Sequence, residues 1–439
     1  MPRTLVVALC LLGVLAQPLT THAARMRLDD ADLVVVLPSV SRREARQMKR
    51  LLAPWARRVR RQSRETGGPA RVKVSYVSLS DVVPGGTPAA IGAEELRQFL
   101  RHRFTSRPTT TERPRYLAIA ALPYAEYAGS PATLQLPIIP RFSATLRDVP
   151  GFEVTQTDVP YGFLAPETID GGDGFVDPAD LDMRTATFTV FRIPLAQIDD
   201  LRHFVDRANQ FAAAPHRNDV TLVSGEFGLF PGDTSTIQCI NAGQLSMLAS
   251  VGRIFTVPDF PACPPDFLVT GPTHRLADFL ADASNGFAGG TIYDISHGNG
   301  DAIYAMSSVA GAFPNLISDD LDALPTGLLN VFVSISCDND APQGRRNFAM
   351  GMYQHDSIAV VSATQSVFPT SAPAIVDAEI TAFVALYQSP VTLLQALHRF
   401  RAEYYANYVI AGPVEDRPFN WINLIAIHVL GDGLTIVAD

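Results

Sequence analysis

The chain has 439 residues, 47% hydrophobic and 18% charged, with 30 glycines, 33 prolines, four cysteines and a net charge of −9. That Gly and Pro content excludes collagen-like and low-complexity chains, and the hydropathy and 9% aromatics exclude a disordered one. No global basic field exists to hold nucleic acid, and four cysteines exclude a disulfide-dense scaffold.

The first segment reads as a secretory signal, not as part of the fold. Arg3 precedes an apolar run at 5–16 (LVVALCLLGVLA), which is followed by the small residues around Ala23 and Ala24. The run is shorter than the ~18 residues that span a bilayer. Cleavage after Ala23 is expected, leaving 439 − 23 = 416 residues in an exported protein, secreted or periplasmic, with no stable membrane insertion.

The apolar run 33–37 predicts a buried strand, and Ser41 predicts the start of a helix through about residue 63. Its apolar positions Ala45, Met48, Leu52, Trp55 and Val59 step by three and four, and Pro54 predicts a kink or break. The Arg-rich remainder, including Arg57-Arg58 and Arg60-Arg61, reads as a solvated face. Strands are predicted at 72–79 and 116–122, around a helix at 94–104. Residues 123–185 carry turn signals such as Gly171-Gly172-Asp173-Gly174 and read as long loops.

A strand at 187–190 and a helix opened by Pro194 through Phe211 complete the first half, with a linker at 212–218. The second half repeats the pattern, with strands at 220–224, 290–295, 329–335, 358–362 and 424–430. Helices are expected near 242–251, 273–283, 347–355, 374–387 and 391–407. The alternation predicts an α/β fold of two successive units, 24–214 and 215–439, with mostly parallel sheets flanked by helices.

Two segments carry chemistry. TIYDIS ends in His297-Gly298, and NVFVSIS ends in Cys337, 337 − 297 = 40 residues later. Carboxyl ends of neighbouring parallel strands open onto one edge, where ligands bind. Imidazole and thiol side by side there would form an activated nucleophile. The backbone N–H groups of Gly298 and Cys337 could receive an oxyanion. The bland alternative is a loop histidine and a packed, inert cysteine.

Export sorts the cysteines. Cys10 leaves with the signal, and Cys239 and Cys263 are expected to pair, closing a loop worth about 3 kcal/mol. Cys337 is the thiol left over. No zinc-ligand spacing surrounds either chemical segment. No cofactor is required; Asp294, Asp301 and Asp338 could hold a structural calcium ion, although EF-hand spacing is absent.

With these residues in view, the sequence resembles the gingipain family of cysteine peptidases, within the caspase-like group. That group shares one apolar block ending in His-Gly and a second ending in Cys, here at His297-Gly298 and Cys337. The likeness extends to 95–100 and 115–119, to Phe191-Arg192-Ile193-Pro194, to 391–397 and to the closing stretch from Asn423 through Gly433. Phe191 stands where the family usually has Gly, and Gly433 where it has Pro.

The resemblance implies two caspase-like subdomains, with peptide-bond hydrolysis in the second. It implies a thioacyl-enzyme, with Cys337 as nucleophile and His297 as base and acid. It implies Glu226 as an orienter of the histidine, Asp233 as an acidic pocket residue for basic side chains, and Gln365 to Phe368 as a pocket border. The expected partners are protein or peptide substrates. A catalytically silent caspase-like binding module is the alternative of a different class.

Overall fold

The computed structural model describes residues 28–39, 41–65, 71–83, 91–128, 132–145, 154–169, 175–212, 220–224, 254–257, 290–295, 297–299, 302–304, 316–317, 327, 329–334, 340, 347–364, 378, 381–382, 384–386, 388 and 390–437. The expected signal segment 1–23, residues 213–218 of the expected linker 212–218 and the helices near 242–251 and 273–283 lie outside the described residues.

The unbroken run Leu33–Leu37 forms β1 and is buried throughout, as a strand covered on both faces must be. Helix α1 (Arg42–Glu65) follows, then β2 (Val74–Ser78), α2 (Ala93–Arg103) and β3 (Tyr116–Ile119). The short strands β4 (Phe142–Ala144) and β5 (Thr155–Thr157) pair with each other, and β6 (Thr189–Arg192) precedes α3 (Asp200–Phe211). The second half begins with β7 (Val220–Ser224), β8 (Ile254–Val257) and β9 (Thr291–Ile295). Next come β10 (His297–Asn299), β11 (Ala302–Tyr304), β12 (Leu316–Ile317), β13 (Val331–Ser334), α4 (Phe348–Gln354) and β14 (Ala359–Ala363). Helices α5 (Leu393–Tyr404) and α6 (Arg417–Ala426) lead into β15 (Ile427–Gly431).

Among the described residues, ten strands form one sheet in the order β2-β1-β3-β6-β15-β14-β13-β9-β7-β8. Strands from the first half occupy one end, and those from the second half the other. Pairing is parallel within each group except that β15 runs antiparallel to β14. The groups meet where Leu430 pairs with Arg192. The fold is therefore α/β with a mostly parallel sheet flanked by helices. A single large apolar cluster runs from Leu33 and Trp55 to Val361 and Leu424, so both groups share one core. Among the described residues no helix is long and apolar enough to cross a membrane.

Several expectations need correction. Helix α1 runs through Pro54. Burial of Met48, Leu52 and Trp55 outweighs the ~3 kcal/mol an interior proline costs. Its basic face is solvated except at Arg58, which is buried and paired with Asp432. The strand expected at 72–79 ends at Ser78, where the chain enters a helical turn and Asp81 accepts from the Ser78 N–H at 3.0 Å. Pro194 opens no helix. The Asp200 carboxylate accepts from the N–H groups of Ala196 and Gln197, so bends and turns at 196–199 precede α3. Leu424 is helical, because Pro418 starts α6 and the strand begins only at Ile427.

The region 123–185 also contains more than loops. It carries β4, β5 and 3₁₀ turns at Ala125–Ala128 and Val159–Gly162, with Ile139, Tyr161 and Phe163 buried. The departures at Phe191 and Gly433 each have a local reason. Phe191 fills core space against Trp55, ring centroids 6.5 Å apart. At Gly433 a Cβ would lie 2.7 Å from Leu394 Cγ, and its N–H donates to the Gly431 carbonyl at 3.1 Å, a bond proline could not make.

Candidate active site

β9 and β13 are direct neighbours, paired in parallel with Asp294 opposite Ser334. Register partners on adjacent strands lie about 5 Å apart. His297 follows Asp294 by three residues, and Cys337 follows Ser334 by three. Both chemical residues are thus displaced equally beyond one register pair. Three residues of extended chain span at most about 11 Å. Apolar sequence builds this pair: Ile292 and Phe332 pack in one buried cluster with Phe348, Met352 and Val360.

The backbone of His297 and Gly298 is described as part of β10, which turns back antiparallel onto β11. Cys337, Glu226, Asp233, Cys239, Cys263, Gln365 and Phe368 lie outside the described residues. Asp301 and Asp338 do as well. Asp294, named above as a potential calcium carboxylate, is buried between the strands and accepts from Ser334 Oγ at 2.6 Å. Among the described residues no cluster of three or more His, Cys, Asp or Glu side chains is placed to hold a metal.

Sequence reading missed a buried polar group beside this edge. Asp340 is three residues past Cys337, and its side chain is fully buried. Its N–H donates to the Ala363 carbonyl at the end of β14, at 2.9 Å. Its carboxylate accepts from Arg141 at 2.5 Å and from the Tyr127 hydroxyl at 3.2 Å, and that hydroxyl also donates to the Asp340 carbonyl at 2.8 Å. Asn347, at the start of α4, donates to the Tyr127 hydroxyl at 2.9 Å and caps its own helix through Met350.

Arg141 also lies 3.4 Å from Asp158, which pairs bidentately with Arg192. Arg192 comes from the Phe-Arg-Ile-Pro element and donates further to the carbonyls of Ala121 and Ile139. Burial opposes ionisation of Asp158, but Arg192 and Arg141 outweigh it and hold the carboxyl below its usual range. Burial pushes Asp340 upward, against the pull of Arg141. His428 on β15 lies 3.9 Å from Asp158; burial and the surrounding arginines hold its imidazole well below the ordinary histidine range. The only sequence signals for this group were Arg192 in its motif and Asp340 close after Cys337.

No protein-family profile matches the chain, and no curated protein matches it in sequence. Solved structures do match it. The complex of Porphyromonas gingivalis RgpB pro- and mature domains is 12% identical, with a TM-score of 0.57 over 92% of this chain and 79% of that one. The Arg-specific cysteine proteinase gingipain R (RgpB) is 13% identical, with a TM-score of 0.56 over 93% of this chain and 78% of that one. At such identities the likeness is one of fold.

Proposed function

On the caspase-like fold of the gingipains, which this chain shares, we propose an exported cysteine endopeptidase with Cys337 as nucleophile and His297 as base. The observation that carries this reading is the in-register pairing of β9 with β13, each followed at the same offset by one reactive residue. The RgpB structures support it as neighbours of the same fold.

In this reading His297 takes the Cys337 proton, and the thiolate attacks the scissile carbonyl carbon. The oxyanion that forms is received by the backbone N–H groups of Gly298 and Cys337. The imidazolium then gives its proton to the leaving amine as the C–N bond breaks, leaving a thioester. Water, deprotonated by His297, attacks the thioester and releases the acid and the free thiol. Glu226 orients the histidine, and Asp233, Gln365 and Phe368 border a pocket for basic side chains. Cys239 and Cys263 form a disulfide in the oxidising compartment to which residues 1–23 direct the chain. The catalysis needs no cofactor, and a calcium ion has at most a structural part.

The test is Cys337→Ala in the exported chain. Loss of peptide hydrolysis and of thiol-reagent labelling, with an unchanged circular dichroism spectrum, is expected. Retained hydrolysis sinks the proposal. A silent binding module would instead show wild-type Cys337 labelling no faster than free cysteine near neutral pH.

A further inference from the structure

The segment that carries Cys337 is held at both flanks by buried polar side chains. Upstream, Ser334 donates to Asp294, which ties the end of β13 to the strand that leads to His297. Downstream, Asp340 is held by three separate parts of the molecule: the β14 end through Ala363, the loop before β4 through Arg141, and the turn after β3 through Tyr127. Each flank lies three residues from Cys337. A carboxylate is costly to bury, and this one is paired with the equally buried Arg141. Its contacts fix the position of Asp340, three residues after Cys337 in the chain.

We infer that Asp340 is a positioning residue for the Cys337 nucleophile, acting through its contacts with Arg141 and Tyr127. This rests on the proposed function, since it assigns a purpose to the placement of that thiol. Arg141 and Tyr127 come from the first half of the chain. The first half thus sets the geometry of a reaction whose two reacting side chains both belong to the second. A displacement of about 1 Å can cost on the order of 100-fold in rate, so a clamp three residues away has leverage on kcat.

The experiment compares wild type, Asp340→Asn and the milder Tyr127→Phe, each as the full chain. Tyr127→Phe removes only the hydroxyl and keeps the ring, so it preserves folding if Asp340→Asn does not. Steady-state peptide hydrolysis, the pH profile of Cys337 alkylation by iodoacetamide and urea unfolding are measured on the same preparations. Asp340→Asn is expected to lower kcat by roughly 10- to 100-fold with KM within about threefold. Tyr127→Phe is expected to lower it by several-fold, and both to change the alkylation rate or its pH midpoint. If kcat falls only as far as the folded fraction does, with the alkylation profile unchanged, the inference is overturned. If wild type hydrolyses no peptide, the proposed function fails, and alkylation alone decides the positioning: a changed profile in Tyr127→Phe supports it, and an identical one overturns it.

Discussion

His398 on α5 shows how one half-buried base makes stability depend on pH. Burial, then the nearby Arg401 and Arg399, lower its pKa from the ordinary 6.5 to about 4. The unfolded chain takes up this proton as pH falls through about 6.5, while the folded chain resists until about 4. The unfolded state therefore binds more protons in that window, and stability falls with falling pH. His428 acts in the same direction. Asp158, held below its usual range, contributes stability present above the unfolded carboxylate pKa and lost only at lower pH. Urea unfolding at pH 7 and pH 5 is expected to show a smaller difference in His398→Gln than in wild type. An equal difference in both would refute this account of His398.

Among the elements, β15 depends on one backbone conformation. Gly431 ends the strand with φ +90°, and a Cβ there would collide with the Ile358 carbonyl oxygen. Both the left-handed conformation and the collision count against any side chain. Gly431→Ala is expected to destabilise by roughly 2–4 kcal/mol in urea titration. A loss below about 1 kcal/mol would mean that the turn after β15 can rearrange. Elements were readable in sequence where one signal dominated. The runs 33–37 and 220–224 are strands over those same residues. Boundaries were misread where two signals competed. At Pro54 local propensity yields to a buried stripe, and at Leu424 an apolar run that could serve as strand or helix becomes a helix.

For the whole molecule, the contact between α1 and the end of β15 joins the two halves of the chain. Asp432 accepts from Trp55 Nε1 at 3.0 Å and pairs with Arg58, which also donates to the Ala208 carbonyl at 2.6 Å. All of these side chains are buried. Asp432→Ala would leave Arg58 buried and uncompensated, an expected loss of about 3–5 kcal/mol on unfolding of the full chain. The double change Arg58→Met with Asp432→Leu is expected to lose less, since no lone charge remains. Equal losses in the single and double variants would show that the ion pair is not what joins these elements.

The residue order by itself determined the α/β class, most of the strands, and the two apolar blocks that end in His297-Gly298 and Cys337. Hydrophobic runs are local, and their length and flanking residues carry the information. Only the tertiary structure decided that β9 and β13 are neighbours in register. It also decided that Arg141, Asp158, Arg192 and Asp340 gather in one buried cluster. Those four are spread over about two hundred residues, so no local pattern shows that they meet. Their meeting follows from burial: a charge that enters the core must find its counter-charge there, and the fold determines which one is within reach.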